Sequence, residues 1–320
     1  MSILVVGDAN ADLSAAVNRF PHEGDDLPIA ALEWGSGGSG ANVATALALL
    51  GAPVQLLARV GRDPAAEVAL RVARAAGVNL DAVQRDDSLA TGLCFAAISP
   101  GGERTFFSYR GANVNLDLGS GVKALVNDAA WLHIAGHALL EGAQRDAIDW
   151  LRAEAADHPN SISLDLCLPL LRERREEILK LLPSISVLFA NEIELDSLFP
   201  GVAYAAALEQ AIRSNVHLAV LKLGPRGCLI VGDGLRHAAP AFPIEAIDTN
   251  ACGDAFVAGF LHAHLRGEPP DACAVLANAM GALTATRHGA AEALPDRTRL
   301  RALLADHPIA RLLAYERTPG

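Results

Sequence analysis

Apolar positions along the chain fall in short runs separated by segments with helical spacing. Residues 3–6, 54–58, 131–134, 161–166, 187–190, 217–223 and 228–231 read as strands, apolar enough to be covered on both faces. Residues 41–50 read as a helix stopped at Gly51, and 64–76 as a helix closed by Gly77; 144–156 and 170–182 read as further helices. This alternation predicts an α/β fold with a mostly parallel central sheet between two helical layers. Two stretches depart from it. Residues 9–34 alternate without a helical period, and 91–97 and 104–109 flank Ser99-Pro100-Gly101-Gly102-Glu103, a hairpin-turn sequence. They predict a small β-layer standing off the core, placed to act as a lid over a ligand or as a contact between two copies. The reading is one domain over 1–310 with a lid of about 9–34 and 91–111 inserted in it, followed from about Leu312 by a terminal helix and a frayed end.

Composition narrows the classes. Of 320 residues, 51% are hydrophobic and 20% charged, enough to bury one large core and too apolar for disorder. Net charge is −11, from 26 basic and 37 acidic residues, which argues against a nucleic-acid or anionic-membrane partner. The five cysteines, Cys94, Cys167, Cys228, Cys252 and Cys273, form no C-x-x-C pair, so neither a zinc site nor a disulfide framework is indicated. No run approaches the roughly 20 apolar residues needed to span a bilayer, and the first residues read as a strand rather than a leader. A cytoplasmic protein in a reducing compartment is expected.

The densest chemistry lies at Asp248-Thr249-Asn250-Ala251-Cys252-Gly253-Asp254, small residues between an extended segment, 241–247, and a helix covering 256–265. A strand, a tight turn and a helix start present backbone N–H groups at the positive end of the helix dipole, a setting for a phosphoryl group with Asp254 beside it as proton acceptor. An ordinary cap at Asp254 reads the same residues. Gly7-Asp8-Ala9-Asn10-Ala11-Asp12 leaves the first strand at the edge where parallel sheets bind ligands, and Asp12 suits paired hydroxyls; an Asx turn is the alternative. Gly35-Ser36-Gly37-Gly38-Ser39-Gly40-Ala41-Asn42 opens a helix where glycines let a ligand touch backbone and Asn42 reaches hydroxyls; it is not a Walker loop. Asn191 and Glu194 share one helical face at a strand end and offer hard oxygens to Mg2+ through waters, or simply favour the helix dipole. Lys222, Gly224 and Gly227 stand in a turn between two strands, as a nucleotide loop or a plain hairpin. His137 reads as a polar pocket residue or a satisfied core histidine.

Taken in order, these residues resemble the PfkB family of carbohydrate kinases, with a ribokinase-like fold. The D-T-x-G-A-G-D signature is met by Asp248 to Asp254, the N-terminal glycine signature by Gly37-Gly38-Ser39-Gly40-Ala41-Asn42, N-x-x-E by Asn191 and Glu194, and G-x-x-N-x-D by Gly7, Asn10 and Asp12. Thr286-Arg287-His288-Gly289-Ala290 resembles the late adenine-side and cation loop. The likeness covers about residues 3 to 305. Ala251 stands where the family has its first anion-hole glycine, which a backbone φ below zero accommodates.

The resemblance implies transfer of the γ-phosphoryl of ATP to a primary hydroxyl, with Asp254 as base and the N–H groups of Ala251, Cys252 and Gly253 as anion hole. It implies acceptor contacts from Asn10, Asp12, Gly38, Asn42, His137 and, from the lid, Arg104 or Arg110. Nucleotide contacts fall at Asn191, Lys222, Gly224, Gly227 and Asn278. Mg2+ falls to Asn191 and Glu194 through water, and K+ to the neighbourhood of Asp248, Asn250 and His288. A neutral ribose- or fructose-like sugar is the preferred acceptor; 2-keto-3-deoxygluconate, suggested by Arg104 and Tyr109, and a nucleoside, stacked on Phe106, Phe107 or Tyr109, are alternatives. A non-catalytic sugar- or nucleotide-binding relative is the competing class, and a redox role for Cys252 at a helix start an outlying one. Homodimerisation through the lid is expected.

Overall fold

The computed structural model describes residues 2–29, 31–99, 104–117, 120–140 and 161–314. In chain order its strands are β1 (Ile3–Val6), β2 (Asn10–Ala16), β3 (Ala31–Gly37), β4 (Val54–Leu57), β5 (Arg59–Gly61), β6 (Gln84–Asp86) and β7 (Gly92–Ile98). β8 (Arg104–Tyr109), β9 (Trp131–Ala135), β10 (Ile162–Asp165), β11 (Val187–Asn191), β12 (Leu218–Lys222), β13 (Cys228–Gly232) and β14 (Leu235–Ala239) complete them. The helices are α1 (Ser39–Leu49), α2 (Pro64–Ala76), α3 (Ser120–Asp128), α4 (Leu168–Leu181), α5 (Glu192–Leu198), α6 (Tyr204–Arg213), α7 (Cys252–His264), α8 (Pro270–Ala285) and α9 (Arg297–Leu303).

The central sheet runs β14-β13-β12-β11-β10-β9-β1-β4. From β12 to β4 every neighbouring pair is parallel; only the β12–β13 and β13–β14 pairs, at one edge, are antiparallel. Side chains alternate between the faces, so Ile3 and Val5 enter one core and Leu4 and Val6 the other, as Val187 and Phe189 oppose Leu188 and Ala190 in β11. One core is closed by α1, α2, α7, α8 and α9, the other by α3 to α6. This is the α/β layering expected from the alternation. No described helix is long and apolar enough to cross a membrane.

The off-core β-layer is a separate four-stranded sheet, β3-β2-β7-β8. β2 pairs antiparallel with β3 and parallel with β7, and β7 pairs antiparallel with β8. β3 continues to Gly37, past the expected limit at 34, and feeds directly into α1. The 99–103 turn falls largely on residues outside those described, as does the 144–156 helix.

One local expectation gives way. Residues 241–247 form no strand; Pro240 and Pro243 each lack a ladder donor, and β14 supplies the sheet edge instead. The small β5–β6 pair was not legible in runs of three residues. Gly7 and Gly40 hold the strand-to-helix crossing together: a Cβ on Gly7 would stand 2.6 Å from Gly40 Cα. Backbone meets backbone here, which no other residue permits.

Candidate active site

Because β1, β9, β10, β11 and β12 are parallel, their carboxyl ends share one edge of the sheet. That edge carries Asp8, His137, Asp165, Asn191 and Lys222, with Asn191 and Lys222 direct register partners. The Lys222 ammonium donates to Asp165 Oδ1 at 2.5 Å. Burial alone would lower Lys222, but Asp165, Glu194 and Asp254 around it hold it above its ordinary value. Burial raises Asp165 in turn, against the pull of Lys222.

Asp254 lies in the first turn of α7, where α7 packs against α1. Its two oxygens accept from Ser39 Oγ at 3.1 Å and Asn42 Nδ2 at 2.8 Å, both from the first turn of α1. Burial raises its pKa to about 6, opposed by Asn42 and Ser39 and aided by the Asp165 charge. A carboxylate held this way is fixed in direction and more basic than a free one. Neither α1 nor α7 has a side-chain cap, whereas Asp63, Asn191 and Asp296 cap their helices. The uncapped first turns therefore keep N–H donors for another group. Lys222 stands beside the α7 turn; a Cβ on Gly253 would lie 3.6 Å from its Nζ.

The turn at 248–254 differs from the expectation in two ways. Ala251 has φ of 57°, in the left-handed region, rather than below zero. Its methyl is thus held where glycine is favoured. Cys252 is not activated: burial and the charges of Asp248 and Asp254 push its thiol up to about 12, and its N–H is drawn to Thr249 O at 3.4 Å. The redox reading of Cys252 loses its physical basis, since a thiol this protonated is a poor nucleophile.

The glycines of the 35–42 loop are filled largely by the protein itself. Gly38, at φ 92°, lies against the Asp8 carbonyl, and a Cβ on Gly37 would overlap the Asp12 carboxylate. Asp12 is raised to about 7 by burial and by the nearby Glu292 and Asp254 charges. Glu292 was missed from sequence; it accepts from Ser36 N at 2.8 Å and Arg71 at 2.9 Å, tying the late loop to β3 and α2. Between the small sheet and that loop is a cavity of about 270 Å³ whose lining includes Asp12, Glu33, Asn250, His288 and Glu292. Asn10 accepts from Asn113 Nδ2 at 2.8 Å. Arg110 donates to the buried Asp8 carboxylate and, at 2.8 Å, to the His137 carbonyl, while burial lowers the His137 imidazole. The Arg104 side chain is not among those described; its backbone pairs with Ile98.

Asn191 and Glu194 form a reciprocal capping box, with bonds of 2.8 and 2.7 Å between each side chain and the other's N–H. This consumes the Asn191 carbonyl oxygen and leaves Glu194 one carboxylate oxygen, with burial pushing its pKa to about 7. Asp248 accepts from Asn250 N at 2.9 Å and Gly289 N at 2.8 Å, joining the 248–254 turn to the late loop. Gly224 is exposed in the β12–β13 turn, but Gly227 is set by packing: a Cβ there would fall 1.9 Å from Ala239 O. Asn278 is buried and donates to Pro240 O at 3.2 Å, beside Cys228, the register partner of Lys222. The structure thus gathers Asn42, Asp254 and Lys222 at one place, with Gly227 and Asn278 packed internally beside the register partner of Lys222.

The pfkB family carbohydrate kinase model matches residues 1–297. The chain belongs to this family. As a PfkB carbohydrate kinase it is a phosphotransferase acting on a sugar hydroxyl. It is 29% identical over 291 residues to an ATP-dependent ribose-1-phosphate kinase of Halopiger xanaduensis, covering 91% of this chain and 94% of that protein. It is 29% identical over 286 residues to fructokinase-1 of Oryza sativa, covering 84% and 88%. The structure of Arabidopsis thaliana ribokinase complexed with ribose and ATP superposes with a TM-score of 0.82 at 25% identity, covering 98% of this chain and 99% of that one. Ser39, Asp165 and Asp8, bonded to Asp254, Lys222 and Arg110, were not singled out from the sequence. Their signal was positional: each stands at a strand end or the first turn of a helix on the ligand edge.

Proposed function

We propose that the protein transfers the γ-phosphoryl of ATP to a primary hydroxyl of a small neutral sugar, ribose- or fructose-like. The observation that carries this is Asp254, fixed by Ser39 and Asn42 at an uncapped helix start with Lys222 alongside. Asp254 accepts the hydroxyl proton, and its raised pKa makes it a stronger base than a free carboxylate. The N–H groups at the start of α7 and the Lys222 ammonium hold charge developing on the transferred group. Asp12, Asn10, Asn42 and His137 hold the acceptor. The acids Asp12, Glu33 and Glu292 in the cavity oppose an anionic acceptor there, which favours a neutral sugar over a ketogluconate.

ATP and Mg2+ fit the residues present. Among the described residues no cluster of three or more histidine, cysteine or acidic side chains forms a protein-only metal cage. One spare Glu194 oxygen suits a cation held mainly by phosphates and water. Bound Mg2+ would neutralise phosphate charge. K+, if used, is assigned to carbonyls near Asp248, Asn250 and 287–289, where Asp248 accepts from Gly289 N. The small sheet is the lid and the dimer contact: Leu13, Trp34, Phe95 and Phe107 lie in one cross-strand row, with Trp34 and Phe107 about half exposed. Light scattering on the wild type and Phe107→Glu tests the dimer; a monomeric wild type overturns it.

The deciding experiment measures ADP release from ATP and Mg2+, with K+ or Na+, across pentoses, hexoses, ketogluconates and nucleosides. Turnover on a neutral sugar, lost in Asp254→Asn, is expected. ATP binding without turnover on any acceptor would overturn the reading in favour of a binding protein.

A further inference from the structure

We propose that Asp8 and Arg110 form a hydroxyl-reading element of the acceptor site, one that selects a neutral sugar and rejects an acceptor carrying phosphate or carboxylate at that end. The proposal rests on the kinase reading and deepens it. Asp8 leaves β1 on the ligand edge, and its carbonyl accepts from Ala41 N at 3.0 Å, in the helical turn that also carries Asn42. Arg110 follows β8 and bridges Asp8 to the His137 carbonyl. Asn113, three residues on, binds Ala9 N at 3.2 Å and Asn10 at 2.8 Å, so the segment after β8 is stitched to the loop after β1.

Asp8 and Asn42 are each only 4% exposed. Yet Asp8 Oδ1, Asn42 Oδ1 and Arg110 Nε are buried with no hydrogen-bond partner among the described residues. Buried polar atoms in folded proteins are nearly always partnered, so three on adjoining segments point to a ligand. They offer two acceptors and one donor. A sugar hydroxyl donates and accepts and satisfies both kinds; a phosphate or carboxylate only accepts, and would meet Arg110 while facing Asp8 and the Asn42 oxygen. The Asp8–Arg110 pair carries no net charge, and His137 beside it is kept neutral by burial.

The test compares wild type, Asp8→Asn and Arg110→Gln on ribose, fructose, ribose 1-phosphate and 2-keto-3-deoxygluconate, with ATP affinity as the check of folding. Asp8→Asn should lower kcat/KM on the neutral sugar about 10- to 100-fold, chiefly through KM, and leave or raise that on the anionic acceptors. Arg110→Gln should shift the neutral-to-anionic ratio the opposite way, giving a second reading should Asp8→Asn not fold. A purely structural ion pair would lower all acceptors together. Ratios within threefold of wild type in both variants, or a wild type that prefers an anionic acceptor, would overturn the proposal while the kinase reading stands. Calorimetric sugar binding separates the two claims: binding to wild type, lost in Asp8→Asn without any ADP formed, supports this element and overturns the kinase. No binding and no turnover of any neutral sugar overturns both.

Discussion

Replacing Asp254 by Asn should abolish activity and stabilise the fold together. The carboxylate is held at about 6 against an ordinary 3.8, chiefly because burial penalises its charge. That gap, at about 1.4 kcal/mol per pH unit, corresponds to about 3 kcal/mol of destabilisation at neutral pH, and about 2 kcal/mol after allowing for partial exposure. The contribution of Asp254 to stability therefore falls as pH rises from about 4 to about 6 and is level above that. Asn does not titrate, is of the same size and still bonds to Ser39 and Asn42. With an unfolding entropy near 2.1 cal/mol/K per residue, the variant should melt about 3 °C above wild type at pH 8. The difference should shrink toward zero by pH 4, while kcat falls about 10²- to 10⁴-fold. Calorimetric scans at four pH values, paired with ADP-release rates, measure both. A variant that melts at or below wild type at pH 8, or a difference independent of pH, would refute the view that Asp254 is held as a strained base.

Other consequences follow from the same geometry. The acid limb of kcat/KM should bend between about 6 and about 7, the values of Asp254 and Asp12, since both act as carboxylates; a profile flat down to pH 5 would contradict this. Lys222→Met should destabilise by about 3–5 kcal/mol by leaving Asp165 buried and alone, and Lys222→Met/Asp165→Asn should recover much of that in denaturant unfolding without recovering activity. Ala251→Gly should stabilise by about 0.5–1 kcal/mol, the left-handed strain outweighing the added freedom of the unfolded chain; loss of stability would mean that φ at 251 is not strained.

Much of this was legible in the chain because it depends on local order. Strand and helix lengths follow from periodicity, Gly77 ends α2 in the left-handed conformation that only glycine adopts freely, and the ordered motifs bring Asp12, Asn42, Asn191, Lys222 and Asp254 to one side of a parallel sheet. Other features depend on what stands across space. Asn191 and Glu194 read as metal ligands or as a helix start with acids favourable to the dipole, and the structure shows them in a capping box. Gly38 and Gly227 read as ligand contacts, yet Asp8 and Ala239 fill the space beside them. Glu292 is unremarkable in its own segment and matters because Ser36 and Arg71, more than 200 residues earlier, meet it. By itself the sequence determined the layering, the family and the carboxylate at the helix start, since each is written in residue type and spacing. Only the tertiary structure decided which side chains share a field: Lys222 among three acids, Asp12 against Glu292, Asp8 under Arg110. Charge and burial act through distance, and distances between remote segments exist only once the chain is folded.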